Sequence, residues 1–202
     1  MVELLVVVSV IALLMIVLLG LADPQRRARR INCVNNIRQI ELAFKTWSTD
    51  QSDRSPMQKP MKEGGTLELI TNGLVYVHLQ VMSNELSAPK LVVCPSDKAK
   101  TVAESFAPGR FDNGNVSYFV GVDASDTYPQ MILLGDRNLT SNDVPVKPGL
   151  VSFATNSPLS WTEEIHVGQG NIGLADGSVQ QVSPEKLQLR LLGNGTNRWV
   201  VP

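Results

Sequence analysis

Two histidines, two cysteines and one acid at the head of an apolar run are the side chains here whose types could do chemistry. His166 is followed, after nine residues, by Asp176-Gly177. Imidazole and carboxylate can share a metal ion, or the imidazole can hydrogen-bond near a turn for structural reasons alone. Cys33, Cys94, His78 and His166 supply the donor types of a Cys2His2 zinc site, but no two stand at a paired-ligand spacing. Gly168-Gln169-Gly170-Asn171-Ile172-Gly173 fits the glycine pattern of a dinucleotide loop, yet an Asp-Gly turn follows it. A helix N-terminus is needed there to hold a pyrophosphate. No Gly-x-Ser-x-Gly elbow occurs, and no second cue couples His166 to a serine. Spacing therefore assigns no catalytic residue, no metal ligand and no cofactor, and the chain reads as a non-enzyme.

The element that must position everything else is the N-terminus. From Leu4 to Ala22 run nineteen residues without a charge, broken only by Ser9 and Gly20. At the helical rise they span about 28 Å, close to a bilayer's hydrocarbon core. Residues 1–22 thus read as a membrane helix, too long for the core of a signal peptide and with no small-residue cleavage site after it. Glu3 opens it, either as a solvated end residue or as an acid with a partner.

Residues 23–49 continue as an amphipathic stem. Cys33, Ile37, Ile40, Phe44 and Trp47 recur at spacings of three and four, with Arg30, Arg38, Glu41 and Lys45 elsewhere. Asp23-Pro24 can kink this join without ending the helix, so one rod of about 45 residues is expected. Residues 50–202 form a globular domain of roughly 150 residues, enough for a core. Within it, 50–65 is a loop, Leu74–Leu86 a short helix, and Leu91–Cys94 a buried strand ending in the Cys94-Pro95-Ser96-Asp97 turn. Val116–Val122 and Met131–Leu134 read as strands, followed by a turn at Gly135-Asp136-Arg137-Asn138. Asp176-Gly177 marks a type I′ hairpin, and Pro184–Leu192 a helix capped by Ser183 and stopped at Gly193. Arg198–Val201 closes the chain as a strand. The fold class is α+β with antiparallel strands. Cys33 on the stem's core face and Cys94 at a strand end either form a disulfide, worth about 3 to 4 kcal/mol, or lie buried as free thiols.

Eighteen basic and nineteen acidic residues leave no electrostatic footprint for nucleic acid. Asn115, Asn138 and Asn194 head formal glycosylation sequons that read as chance, and the clusters Asp123 with Asp126 and Asp136 with Asn138 read as solvated loop acids, with weak calcium binding the alternative.

Val2-Glu3-Leu4-Leu5-Val6-Val7-Val8, with Ile11-Ala12-Leu13-Leu14, resembles the start of type IV pilins and type II secretion pseudopilins, where Phe-Thr-Leu precedes Val-Glu. Met1 takes the place of that Leu, so either an upstream leader with its cleavage site exists or this copy has lost it. Cys33-Val34-Asn35-Asn36-Ile37-Arg38-Gln39-Ile40 is similar to the stem run of a large pseudopilin-like family. His166, Asp176 and Gly177 resemble the C-terminal His-x9-Asp-Gly signature of prepilin-type proteins in planctomycete and verrucomicrobial bacteria. Asn115–Gly121 and Gly135–Asn138 look like the same family.

The resemblance implies a pilin-like fold, a long stem helix on a small antiparallel sheet. It implies a filament subunit of a type IV pilus or type II secretion system, processed and methylated by a prepilin peptidase. In the family the acid matching Glu3 pairs with a neighbour's N-terminal amine during assembly. Implied partners are further copies of the chain, the inner-membrane assembly machinery and the membrane. The domain would lie on the periplasmic side or outside the cell. Arg26, Arg27, Arg29 and Arg30 after the run instead favour a cytoplasmic domain by the positive-inside rule, unless a basic leader lies upstream. The other readings are an anchored periplasmic domain that never polymerises, and a tethered hydrolase for which no nucleophile pairs with His166.

Overall fold

A computed structural model describes residues 1–20, 22–192 and 197–202, without the side chains of 17–20, 22–24, 189, 190 and 192. The N-terminal quarter is helical: α1 spans Val2–Gly20 and α2 spans Ala22–Asp50. Leu21 between them, the expected stop at Gly193 and the sequon at Asn194 lie outside the described residues. Pro24 falls in the first turn of α2, where its missing N–H leaves no helical bond unmade. Among the described residues no helix is long and apolar enough to cross a membrane. The side chains at the end of the expected Leu4–Ala22 span are not among them.

Cys33, Ile37, Ile40, Ala43, Phe44 and Trp47, at helical spacing, are the face that α2 buries. That face lies across one side of a six-stranded sheet, with α3 (Val75–Gln80) and α4 (Ser83–Leu86) completing the layer. The expected single helix at 74–86 is two, because the chain turns at Val81-Met82. The strands are β1 Tyr118–Gly121, β2 Ile132–Asp136, β5 Gly149–Phe153, β7 Gly170–Leu174, β8 Val179–Val182 and β9 Asn197–Val201. Their order is β5-β9-β1-β2-β7-β8, every neighbouring pair antiparallel. A second sheet, β4-β3-β6, joins β3 Leu139–Ser141, β4 Val144–Pro145 and β6 Leu159–Trp161. Helix α5, Pro184–Leu192, sits against β6 and β8.

Alternation along the strands builds two cores. Tyr118, Val120 and Val200 face the stem, whereas Phe119, Trp199 and Val201 face α5 and the smaller sheet. Phe119 and Trp199 stack with ring centroids 4.4 Å apart. A bulge between Ile132 and Leu134 changes the parity of β2, so Ile132 joins the second core and Leu134 the first.

Three local expectations are corrected. Leu91–Cys94 is not a strand: Pro89 opens a 3-10 turn through Val92, which Val93 leaves in an extended conformation. Gly135 and Asp136 belong to the end of β2 and not to a turn. Asp176 keeps a negative φ and only Gly177 is left-handed, at +83°. With Gly177 N–H donating to Leu174 O, this hairpin is a type I turn closed by a glycine bulge. The two-residue type I′ turn lies at Asn142-Asp143, with φ of 50° and 60°, between β3 and β4.

Candidate functional site

Four chain segments meet beneath the N-terminal half of α2. Cys33 arrives on the helix's buried face. Cys94 follows the 3-10 turn, whose exit is tied to α2 by Asn36 Nδ2 donating to Val93 O at 3.1 Å and to the sheet by Ser117 N donating to Val92 O. Asp136 ends β2, and His166 stands in the loop between β6 and β7. The next residue, Val167, is β-branched yet left-handed at φ +54°, and Gly168 repeats that hand at +68°. Such backbone is strained for valine and persists only where its surroundings impose it.

One donor atom from each of Cys33, Cys94, Asp136 and His166 lies within 4.8 Å of all the others, and all four residues are buried. Cys33 Sγ is 3.3 Å from Asp136 Oδ1, Cys94 Sγ is 3.5 Å from His166 Nε2, and His166 Nε2 is 3.4 Å from Asp136 Oδ2. Tyr118 OH touches Cys33 Sγ at 3.2 Å. Asn171 donates to Asp136 Oδ2 twice, from its backbone N at 2.6 Å and its Nδ2 at 2.9 Å. Burial pushes Asp136 up to about 7 against those hydrogen bonds, and pushes His166 down to about 4, helped by Arg30. The imidazole is neutral at pH 7, so its contact with Asp136 is not an ion pair, and the same Nε2 also meets Cys94 Sγ. Burial likewise holds the Cys33 thiol far above the usual thiol range.

A rim of charge surrounds this cluster. Arg137, the residue after Asp136, forks onto Asp97, and it also bonds Glu164 in the His166 loop. Arg30 reaches Asn171 Oδ1 at 3.5 Å and pairs with Gln169. Outside lies a cleft of about 470 Å³ lined by Arg30, Ser96, Lys98, Glu163, His166 and Gln169 among others.

The fold thus gathers some expected residues and separates others. Cys33 and Cys94 do come together, but as two free buried thiols and not as a bridge. His166 does not meet Asp176, which stays at the hairpin, accepting from Ser178 N at 2.9 Å and Gln130 Nε2 at 3.1 Å. Gly177 beside it supplies the left-handed turn, so the His-x9-Asp-Gly spacing measures the length of β7 plus its two ends. His78 is elsewhere, with Nδ1 2.7 Å from Thr66 Oγ1. The glycine pattern at 168–173 runs into β7, with no helix behind it. Asp123 and Asp126 are not simply solvated: they pair with Arg198 and Lys45. Asp136, the residue that spacing missed, is wholly buried. Its signal was an acid directly after the apolar run Met131–Gly135.

The remaining candidate, Glu3, opens α1 on an exposed surface. Every residue from Met1 to Ile16 is exposed, although all but Glu3, Ser9 and Ala12 are large and apolar. No family model, curated protein or solved structure matches the chain.

Proposed function

We propose that the chain is a pilin-like or pseudopilin subunit whose α1 is stored in the bacterial inner membrane and then forms the core of a filament. The observation that carries this reading is the exposure of α1: Leu4, Leu5, Leu13 and Ile16 are 65–72% exposed, uncovered by any of the described residues. At roughly 25 cal/mol per Å², leaving such a surface in water is costly, so lipid or neighbouring helices must take it. Aliphatic residues suit both environments, and that lets one segment serve in membrane and filament. α2 supports the reading by fastening the exposed helix to the sheet through Cys33–Trp47. The resemblance of Val2–Val8, of the Cys33–Ile40 run and of His166-x9-Asp176-Gly177 to the prepilin-type family points the same way. On this reading the role is structural and not catalytic, and the domain lies in the periplasm or outside the cell. Glu3 meets the amine of a neighbouring subunit, and the partners are copies of the chain and the inner-membrane assembly machinery.

The test is expression of the full chain beside such machinery, with membrane fractionation and electron microscopy of sheared material. Membrane-bound chains plus filaments containing the protein, lost in Glu3→Ala, are expected. Membrane-bound chains that never form fibres would favour a non-polymerising anchored domain instead.

A further inference from the structure

The geometry points to a site in which Cys33, Cys94, His166 and Asp136 bind one divalent zinc-like ion. The donor set is two sulfurs, one imidazole nitrogen and one carboxylate oxygen, the types that zinc accepts in closed four-coordinate sites. With Zn–S near 2.3 Å and Zn–N or Zn–O near 2.0–2.2 Å, a tetrahedron has edges of about 3.3 to 3.8 Å. The contacts are 3.3 Å from Cys33 Sγ to Asp136 Oδ1, 3.5 Å from Cys94 Sγ to His166 Nε2, and 3.4 Å from His166 Nε2 to the other carboxylate oxygen, Asp136 Oδ2. With one donor from each residue, the four atoms lie within 4.8 Å of one another, so an ion fits at the centre once the side chains close in by up to about 1 Å.

The surroundings match what such an ion needs. Asn171 fixes the Asp136 carboxylate through Oδ2, leaving Oδ1 toward Cys33, and the Tyr118 hydroxyl can donate to the Cys33 sulfur. Two thiolates and one carboxylate on a divalent ion sum to one negative charge. Arg30, half-buried at the rim and near enough to act on Asp136 and Cys33, is a cation that offsets it. The 470 Å³ cleft reaches His166 and provides a path for the ion. A Cys33–Cys94 disulfide accounts for two of the four groups and leaves His166 and Asp136 buried against each other. The ion accounts for all four. It clamps α2 to the segment after the 3-10 turn, to the end of β2 and to the His166 loop, a role independent of filament formation.

The full chain, purified in detergent, reduced and stripped with a chelator, is titrated with cobalt(II) and then zinc(II). Expected is uptake of one cobalt per chain, with thiolate-to-metal charge-transfer absorption, tetrahedral visible bands and full displacement by zinc. Cys94→Ser and His166→Gln, checked for native circular dichroism, should each weaken uptake at least tenfold. The wild-type spectrum stands by itself if either variant misfolds. A folded, reduced wild type that takes up no cobalt, or gives only octahedral bands without charge transfer, overturns the site. So does the protein isolated metal-free with a quantitative Cys33–Cys94 disulfide.

Discussion

Arg137 holds Asp97 with two hydrogen bonds, Nε to Oδ2 at 2.7 Å and Nη2 to Oδ1 at 2.8 Å. The fork locks the turn after Cys94 to the residue after Asp136, so it sets the distance between two members of the buried cluster. Breaking one partner of a buried pair costs more than the pair contributes, because the other charge stays desolvated. Arg137→Ala is expected to lower unfolding free energy by about 3 kcal/mol, and Arg137→Lys, lacking the fork, by somewhat less. Denaturant titration of the full chain in detergent checks both; a loss too small to measure would place the fork among weak surface pairs.

The same pair sets an acid limit. Burial alone would raise the Asp97 carboxyl, but the Arg137 fork and the Ala99 N–H outweigh it and hold it below its ordinary value of 3.8. A depressed carboxyl contributes stability that is present above its unfolded value and lost as pH falls. Wild-type stability should therefore decline below about pH 4, and Arg137→Ala should lose much of that decline.

Glu41 gives the opposite sign. It is buried on α2 with neither carboxylate oxygen hydrogen-bonded, and burial, with Asp176 nearby, pushes it up to about 8 from 4.5. The native state keeps a proton that the unfolded chain releases, so stability falls as pH rises from 4.5 to 8. Glu41→Gln should flatten that slope and add about 1 to 3 kcal/mol at pH 9. Melting curves across that range decide it; an unchanged slope would mean that Glu41 is ionised in the fold.

Gly173 shows why α2 can lie so close to β7. A Cβ there would stand 2.1 Å from Glu41 Oε1 and 3.0 Å from Ile37 Cγ2. Gly173→Ala is expected to cost about 1 to 3 kcal/mol, and much less in a Glu41→Ala background. Equal losses in both backgrounds would show that the stem is not held at that distance.

Much of this was legible in the sequence, and the divide is one of range. The buried face of α2 follows from three- and four-residue spacing, and α5 has the limits its cap and proline announce, Pro184–Leu192. Both are local signals. Asp136 escaped because antiparallel pairing of β2 with β7, Gly135 opposite Ile172, delivers Asn171 to its carboxylate from thirty-five residues away. Similarly, Arg198–Val201 reads as a last strand, but its place between β5 and β1 inside the sheet is set by pairing with distant segments. Cys33 and Cys94 were legible as neighbours but not as members of a set of four.

Both thiols should resist chemistry in the folded chain, since Cys33 is 0% and Cys94 1% exposed. Iodoacetamide at pH 8 is expected to leave both unmodified in the native, reduced protein and to alkylate both in urea. Mass spectrometry of digests reads the outcome; rapid native labelling of either would place it outside the core.

The central claim, that α1 is covered by copies of itself, is tested most directly by photo-crosslinking from Leu13, which is 65% exposed on α1. A photoreactive residue placed there in the full chain, in membranes carrying the assembly machinery, should give a ladder of chain-to-chain adducts that Glu3→Ala abolishes. Adducts to lipid alone, with no ladder under any assembly condition, would contradict the filament account.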